Sequence, residues 1–218
     1  LKDVQHRERV MRKRWGIIPL LAIAPMVSAH SLNDQQPLQY DYLNMEVSSG
    51  TVSDLYAAGD SDNVTGLLFG VSHKWDESDW LLVADYSARF YHPDDDTIER
   101  YQLRLGGGYR WLLAENLDFF THVKAGGMRI RVESDYSEND FIYSADVGVR
   151  YVFTSTFEMS LIGEAIRNKW QDENVATLRA DYYFFKRVAL GALVSYRDGE
   201  GSHINEMGLT LRLNYDPS

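Results

Sequence analysis

Two histidines lie near carboxylates in polar stretches of the chain, and they are the first candidates for acid–base chemistry. His92 precedes Asp94 by two residues, and His203 follows Glu200 by three. A histidine beside a carboxylate can act as a general base, which would suit a hydrolase acting on peptides or on lipid A. Such neighbours also arise often by chance in loops, so the spacing alone does not predict an active site.

The other chemical motifs are incomplete. His73 and His122 lie in segments of alternating polarity, and no serine is tied to either of them in a nucleophile motif. The run Gly106-Gly107-Gly108 lies inside a predicted strand and leads into no helix, so it indicates close packing rather than a phosphate-binding loop. We therefore predict no catalytic residue, no enzymatic activity and no cofactor.

A run of three carboxylates, Asp94-Asp95-Asp96, is the best candidate for metal binding. Carboxylate oxygens suit hard divalent cations such as Ca²⁺ and Mg²⁺. The spacing matches no defined calcium loop, so this site is a hypothesis drawn from residue type alone. Cations held there would bridge acidic loops to phosphorylated lipid headgroups.

The composition excludes several classes of protein. The 218 residues include no cysteine, which excludes a disulfide framework and cysteine-ligated metal sites. There are 32 Asp and Glu residues against 22 Lys and Arg, and an acidic chain repels the phosphates of nucleic acid. The mean hydropathy is negative, which leaves no room for a protein of many membrane-spanning helices.

The first element that the sequence predicts is an export signal. Arg12-Lys13-Arg14 follows Met11 and precedes an apolar run that ends in Val27-Ser28-Ala29. A cationic start, a short apolar core and small residues at the cleavage site are typical of a cleavable signal peptide. The predicted organisation is 1–29 as upstream residues plus signal peptide, 30–37 as a short periplasmic lead, and 38–215 as the folded domain.

Almost every later segment alternates apolar and polar residues with a period of two, which predicts β-strands with one apolar face. In the last segment Met207, Leu209 and Leu211 fall on one side, against Glu206 and Thr210 on the other. The pattern predicts ten strands, near 38–47, 64–74, 79–91, 98–112, 117–133, 141–153, 157–167, 175–185, 187–197 and 204–215.

One segment changes phase. The apolar residues shift parity at Gly126-Gly127, from Val123 before the pair to Met128 after it. A β-bulge at the two glycines would restore a continuous apolar face. The sequence therefore predicts a bulge there.

Two all-β architectures fit these strands. A soluble sandwich or lipocalin-like barrel would bury the apolar face, whereas a transmembrane barrel would turn it toward lipid. Most strands reach the length of about 9–11 tilted residues that crosses a bilayer, and their polar faces carry charges, which favours the transmembrane barrel. Large aromatic residues cluster at one set of strand ends, as an interfacial girdle requires: Trp75, Trp80, Trp111, Phe119, Phe153, Phe157, Tyr182 and Phe184.

The connections agree with an up-and-down topology. Ten strands that start in the periplasm return the carboxyl end to the periplasm, as in even-numbered outer-membrane barrels. The predicted periplasmic turns at 114–116, 154–156 and 186–187 are tight, and the outer loops are longer. We predict an all-β, antiparallel up-and-down transmembrane β-barrel of ten strands, or of eight if weak pairs merge, in the outer membrane of a Gram-negative bacterium.

The opening Leu38-Gln39-Tyr40-Asp41-Tyr42 and the glycine–aromatic hairpins resemble small Gram-negative outer-membrane β-barrels, in particular a poorly characterised ten-strand proteobacterial type. Barrels of this class end in a signal for the barrel-assembly machinery, and Gly208, Leu211, Leu213 and Tyr215 match it. The sequence departs from the family pattern because Asp216-Pro217-Ser218 follows the aromatic residue. The expected partners are this machinery, outer-membrane lipid and lipopolysaccharide.

With the apolar face toward lipid, the inward positions carry charges of both signs. A ten-strand barrel is narrow, and unpaired buried charges are costly. We therefore expect a structural network of ion pairs that closes the lumen, with a narrow pore for ions or small solutes as the alternative. The network is Glu46, Asp85, Arg89, Arg104, Arg110, Lys124, Asp146, Arg150, Glu158, Glu164, Arg179, Asp181, Arg197, Glu206 and Arg212, and Arg100 and Asp118 share the inward parity.

The outer loops are expected to be acidic. The stretches 48–63, 92–99, 133–140, 168–174 and 198–203 hold fifteen Asp and Glu residues, Glu173 among them, and one base, Lys169. Such loops would form a solvated surface that resists self-association. The sequence predicts a non-enzymatic envelope protein that serves surface interaction or envelope integrity; a narrow pore is the second hypothesis and a hydrolase at the rim, using His92 or His203, the third.

Overall fold

The structure is a computed structural model that describes residues 38–53, 62–75, 77–92, 97–132, 136–169, 172–199 and 202–215. The predicted signal peptide, the lead 30–37 and Asp94-Asp95-Asp96 lie outside these residues. Ten strands follow one another: β1 (Tyr42–Ser53), β2 (Asp62–Lys74), β3 (Trp80–His92), β4 (Ile98–Ala114), β5 (Leu117–Val132), β6 (Tyr136–Thr154), β7 (Phe157–Asn168), β8 (Asp172–Phe185), β9 (Val188–Gly199) and β10 (Ser202–Asn214).

The strands form one closed antiparallel barrel, in which each strand pairs with its neighbours in sequence and β1 pairs with β10. The closing pair runs without a break from Tyr42 opposite Asn214 to Ser53 opposite His203. A closed sheet has no free edge, so its backbone N–H and C=O groups find partners on both sides. The predicted all-β barrel and the strand number of ten are confirmed.

Within the described ranges, no helix is long and apolar enough to cross a membrane.

The barrel has two unlike ends. The connections β2–β3, β4–β5, β6–β7 and β8–β9 are short, and the chain enters β1 and leaves β10 at the same end; we call this the turn end. The other five connections lie at the opposite end, the loop end. The predicted tight turns lie at the turn end, where residues 115–116, 155–156 and 186–187 separate their strands.

Several strands extend farther toward the loop end than the sequence predicts. β1 continues to Ser53, β6 begins at Tyr136 and β8 begins at Asp172. The added residues are mostly polar on both faces, so apolar alternation does not detect them. Backbone pairing continues through these residues because it does not depend on which side chains they carry.

No bulge interrupts β5, so the predicted bulge at Gly126-Gly127 is wrong. The pairing of β5 with β4 and with β6 is continuous through both glycines. Met128 is 3% exposed and packs inside the barrel against Ile142, because the inward face itself changes from charged to apolar toward the loop end. The register shifts of the β4/β5, β6/β7 and β8/β9 pairs lie beside the short turns instead.

The two glycines of β5 face opposite sides and have different surroundings. A Cβ atom on the inward Gly126 would lie 1.8 Å from the carbonyl oxygen of Leu103 on β4, so only glycine permits this close approach of the two strands. The outward Gly127 has nothing within 4 Å of its Cβ position. On β4, a Cβ atom on Gly106 would lie 2.0 Å from the carbonyl oxygen of Val123, which agrees with the close packing predicted for the triple-glycine run.

Candidate functional site

The barrel is apolar outside and charged inside. Leu105 is 69% exposed and Leu209 is 73% exposed on the outer surface, whereas Arg104 and Glu206 are each 4% exposed inside. A soluble barrel has the opposite arrangement, because water solvates its outer surface and apolar side chains fill its centre. The observed arrangement is that of a transmembrane β-barrel.

An aromatic belt surrounds the turn end. Trp80, Tyr109, Trp111 and Phe119 form a chain of rings across β3, β4 and β5, with successive centroids 5.1, 4.8 and 5.3 Å apart. Aromatic rings concentrate at membrane–water interfaces, so the belt marks the headgroup level of one leaflet. The other predicted girdle residues also lie at this end: Trp75, Phe153, Phe157, Tyr182 and Phe184.

Lys124 lies among three carboxylates in the lumen. Its Nζ atom is 3.1 Å from Asp85, 3.1 Å from Asp146 and 2.9 Å from Glu164. Arg104 joins the same group, 2.8 Å from Asp85 and 2.9 Å from Glu164. These five residues, which we call the central cluster, come from β3, β4, β5, β6 and β7.

A second group, the loop-side cluster, lies nearer the loop end. Arg89 and Arg197 lie 3.2 and 3.0 Å from Glu206. Arg197 also reaches Glu173 at 3.3 Å, and Arg100 donates two hydrogen bonds to Glu173 at 2.5 and 3.2 Å. Five charged side chains from β3, β4, β8, β9 and β10 therefore form one connected chain of contacts.

A third group, the turn-side cluster, lies nearer the turn end. Arg150 donates to both oxygens of Glu158 at 3.0 Å. Arg212 donates to Glu158 and lies 3.2 Å from Asp181, and Arg179 is 2.7 Å from Asp181. The cluster also includes Glu46 of β1, whose Oε1 atom accepts a hydrogen bond from Arg179 at 2.8 Å.

Glu173 is a lumen residue, and its assignment to an outer loop was wrong. It is the second residue of β8 and is 1% exposed. It supplies the carboxylate that Arg100 and Arg197 share. Val175 and Arg179 face inward, and Glu173 lies two residues before Val175, so the same alternation predicts that Glu173 faces inward too.

Arg110 lies outside the three clusters, at the turn end. Its Nε atom is 2.8 Å from Asp79, and its guanidinium is 3.5 Å from Asp118. It also lies over the ring of Tyr40, 5.4 Å from the centroid. Arg110 thus joins the inner wall of the barrel to the chain that precedes β1.

Residues 38–40 fold into the lumen at the turn end, and we call them the turn-end plug. Leu38 is 8% exposed and Tyr40 is 2% exposed, and both pack with Phe120. The carbonyl oxygen of Gln39 accepts a hydrogen bond of 2.9 Å from Arg150, whose guanidinium lies 4.7 Å from the centre of the Tyr40 ring. Burial raises the pKa of the Tyr40 hydroxyl.

Apolar side chains fill the lumen at the loop end. Two clusters flank the loop-side charges from opposite walls. One comprises Val52, Val64, Tyr91 and Ile204, with Ile98 against it; the other comprises Met128, Ile142, Ile166 and Val175, with Ile130 against it. The middle of the lumen is therefore charged, and apolar side chains line it toward both ends.

A cavity of about 190 Å³ with charged and apolar side chains in its walls lies in the lumen. Its walls include Lys124, Arg179 and Glu206, one from each cluster. The Nη2 atom of Arg179 and the Nε2 atom of His122 are buried without a hydrogen-bond partner among the described residues, although His122 Nδ1 lies 2.7 Å from Asp146. A cavity of this size and polarity has room for several water molecules.

Each histidine–carboxylate pair predicted at the rim has one member outside the described residues, so both pairs stay predictions. These members are Glu200 and Asp94, the expected partners of His203 and His92. The Nδ1 atom of His203 instead lies 3.1 Å from Asp198. The strand histidine His73 is 2.8 Å from Asp41, where the carboxylate also accepts the amide N–H of residue 74; this contact joins β2 to the start of β1.

The metal hypothesis falls on Asp94-Asp95-Asp96, outside the described residues. Among the residues that are described, no group of three or more His, Cys, Asp and Glu side chains could hold a metal ion. The cation site therefore stays a prediction.

The proposed assembly signal follows β10. Gly208 faces the lumen, whereas Leu211 and Leu213 face outward. Tyr215 follows the strand, and its hydroxyl donates to the carbonyl oxygen of Ser72 on β2 at 2.9 Å. Recognition of these residues by the assembly machinery stays a prediction.

No protein-family model and no curated protein sequence matches the chain. It is similar to solved structures that share about a tenth of its residues. Neisserial surface protein A shares 10% identity, covers 81% of this chain and 98% of its own, and gives a TM-score of 0.47. The translocator domain of the autotransporter NalP from Neisseria meningitidis shares 10% sequence identity, and the match covers 84% of this chain and 91% of that one with a TM-score of 0.49. Ail, the attachment invasion locus protein of Yersinia pestis, shares 9% sequence identity, and the match covers 81% of this chain and 100% of that one with a TM-score of 0.40.

The structure of the chain itself supports a firmer conclusion than these likenesses do. Its ten strands close without an edge, its outer surface is apolar and its interior is charged. Only closed barrels and helices satisfy their backbone groups in lipid. The protein is a transmembrane β-barrel with the closed, even-numbered antiparallel sheet of outer-membrane barrels.

Proposed function

We propose that this protein is a non-enzymatic outer-membrane β-barrel with a closed lumen, whose loop end faces the cell exterior and serves surface interaction or envelope integrity. The observation that supports the proposal best is a set of ion pairs between strands that are not neighbours. Arg100 on β4 binds Glu173 on β8, Arg89 on β3 binds Glu206 on β10, and the Arg104–Glu164 pair joins β4 to β7. Each pair crosses the lumen.

Passage of an ion would require such pairs to separate. Separating a buried pair leaves two uncompensated charges in a medium of low dielectric constant, which costs several kcal/mol. The turn-end plug and the apolar side chains at the loop end also obstruct the passage of hydrated ions at the two ends of the lumen. These three features together favour a lumen that does not conduct.

A narrow pore is the second candidate, and the cavity of about 190 Å³ favours it. Planar-bilayer recordings from purified, refolded protein separate the two functions. We expect no steady conductance from the protein, beside a large porin in the same lipid as the positive control. A steady, ion-selective conductance from the protein would contradict the closed lumen and support the pore.

The orientation can be tested because the chain has no cysteine of its own. Lys169 lies beyond the loop end of β7, and Lys186 lies in the turn between β8 and β9. A membrane-impermeant thiol reagent applied to intact cells should label a Lys169→Cys variant and leave Lys186→Cys unlabelled until the envelope is permeabilised. The reverse pattern would refute an external loop end.

The absence of enzymatic activity is also a proposal. We expect purified protein to turn over neither peptides nor lipid A. If turnover is seen and either His92→Ala or His203→Ala abolishes it while the barrel stays folded, the rim hydrolase replaces our proposal.

A further inference from the structure

Three rows of outward side chains cross β4, β5 and β6 near the loop end. Strand register defines them: Glu99, Arg131 and Ser137 form the row nearest the loops, Tyr101, Arg129 and Asn139 the next, and Leu103, Gly127 and Phe141 the third. Two polar rows therefore meet an apolar row directly. Such a boundary is expected where lipid headgroups give way to acyl chains.

The two arginines of β5 face outward at this boundary. They are two residues apart on one strand, so their side chains leave the same face roughly 7 Å apart. Arg131 is 53% exposed and lies 3.6 Å from Glu99. Arg129 is exposed and donates its Nε–H to Ser137 at 2.9 Å, a bond that does not use the N–H groups of its two terminal nitrogens.

Two guanidinium groups at this spacing can share one phosphate. Arginine binds phosphate oxygens through paired, charge-assisted hydrogen bonds, and these are stronger than neutral ones. The other outward arginine of this region, Arg167, instead folds over β8, where it donates to the carbonyl oxygen of Glu173 at 2.9 Å and to Asn174 at 3.0 Å.

An open slot lies directly below Arg129. Nothing lies within 4 Å of the Cβ position of Gly127. Its partners in the row, Leu103 and Phe141, are each 62% exposed, and they lie one strand to either side, roughly 10 Å apart. The slot has two apolar walls and a glycine floor, and its width suits a single acyl chain.

We propose that these rows form a binding site for a phosphorylated lipid of the outer leaflet. The phosphate lies between Arg129 and Arg131, and one acyl chain lies in the slot over Gly127, between Leu103 and Phe141. Because the two arginines lie next to an apolar slot, the site favours a membrane lipid over free phosphate. The inference rests on the proposed function only in that the loop end must face the outer leaflet.

The test measures lipid retention by the folded protein in detergent, read by native mass spectrometry. The probes are lipid A with its phosphates and the same lipid after their removal. In the Arg129→Gln/Arg131→Gln double variant we expect about tenfold weaker binding of the phosphorylated lipid and unchanged binding of the dephosphorylated one. Arg187→Gln, which removes an arginine at the turn end, is the matched control and should bind both lipids as the parent does.

A Gly127→Leu variant tests the slot. The Cβ atom of the leucine would meet no other atom and its branch would occupy the slot on the outer surface, so the barrel should fold and bind both lipids more weakly. Heat-modifiable migration on gels verifies folding of every variant, and Arg131→Gln alone replaces the double variant if the latter does not fold. Unchanged binding of phosphorylated lipid by the arginine variant, an equal loss for both lipids, or an equal loss in Arg187→Gln would overturn the proposal.

Failure of this proposal can be distinguished from failure of the proposed orientation. Thiol labelling that places the loop end in the periplasm refutes the proposed orientation, whereas the detergent measurement judges the site itself. A correct orientation together with unchanged lipid binding would refute the site alone.

Discussion

A single ammonium group in the lumen contacts three carboxylates. Lys124 contacts Asp85, Asp146 and Glu164. Arg104 also contacts Asp85 and Glu164, and the imidazole of His122 contacts Asp146. Removing one partner of a buried ionic group costs far more than the pair contributes to stability, because the remaining charges stay desolvated. Stability of the barrel should therefore depend strongly on this one side chain.

We predict that Lys124→Met lowers the free energy of unfolding by about 3–5 kcal/mol. The measurement is denaturant unfolding in lipid vesicles, followed by tryptophan fluorescence. Lys169→Met is the matched control, since Lys169 is 69% exposed and 3.8 Å from Glu138, and surface ion pairs contribute about 1 kcal/mol or less. Equal stability of the two variants would contradict the role of the central cluster.

The adjacent glycines of β5 give a second matched pair. Gly126→Ala would force a Cβ atom against the Leu103 carbonyl oxygen, 1.8 Å away, so β4 and β5 must separate. We expect a loss of about 1–3 kcal/mol, as for other overpacked sites. Gly127→Ala, with no atom within 4 Å, should unfold at the same denaturant concentration as the parent. A neutral Gly126→Ala would show that the strands can move apart freely.

Sequence parity predicts which side chains face inward, because the two faces of a strand alternate strictly. It placed Arg104, Lys124 and Glu206 inside, where the structure has them. It failed where the chemistry of a face changes along the strand. Alternation predicts that Met128 faces outward because it is apolar, but the lumen at that height is apolar too.

At the scale of elements, ten strands were predictable because each carries five or more alternating positions. Their ends were not, as β8 shows: Glu173 is as polar as a loop residue, and pairing across to Gly199 makes it part of the strand. The pairing partners of the lumen charges were not predictable either. Contacts such as Arg100 with Glu173 depend on barrel shear and strand tilt, which local patterns do not encode.

The turn-end plug is an element without regular secondary structure, and its role can be measured. Tyr40→Ala would remove the ring that packs against Phe120 and beneath the Arg150 guanidinium. We predict that a cysteine placed at Ser160, a buried residue on the cavity wall, reacts slowly with a small thiol reagent in the parent and much faster in the Tyr40→Ala background.

The control for that experiment is Phe184→Ala. Phe184 belongs to the aromatic belt and is 58% exposed, so its loss alters the lipid contact and not the lumen. Labelling of Ser160→Cys should stay slow in this background. Fast labelling in the parent would show that the plug does not close the turn end.

At the scale of the whole molecule, the charge is unevenly distributed. The chain carries a formal charge of −10, while the ion pairs of the lumen hold acids and bases together. The excess acid is therefore carried outside the lumen clusters, and the triple aspartate at 94–96 is its densest run. This distribution favours cations rather than anions at the ends of the barrel.

We predict that millimolar calcium raises the thermal unfolding temperature of the barrel in detergent. Binding to the folded state alone stabilises it by mass action. The triple variant Asp94→Asn/Asp95→Asn/Asp96→Asn should lose this response while keeping the parent's unfolding temperature in chelator. An unfolding temperature that does not change with calcium would remove the cation hypothesis.

The union of β1 with β10 has a consequence for biogenesis. The twelve residues of β1 pair with the last strand of the domain, so both edges of the sheet stay unpaired until β10 is in place. A sheet in that condition cannot be stable in hydrocarbon, where each unpaired amide costs several kcal/mol. Insertion into the membrane and pairing of β1 with β10 must therefore occur together. A protein truncated within β10 should accumulate in the periplasm or be degraded instead of residing in the bilayer.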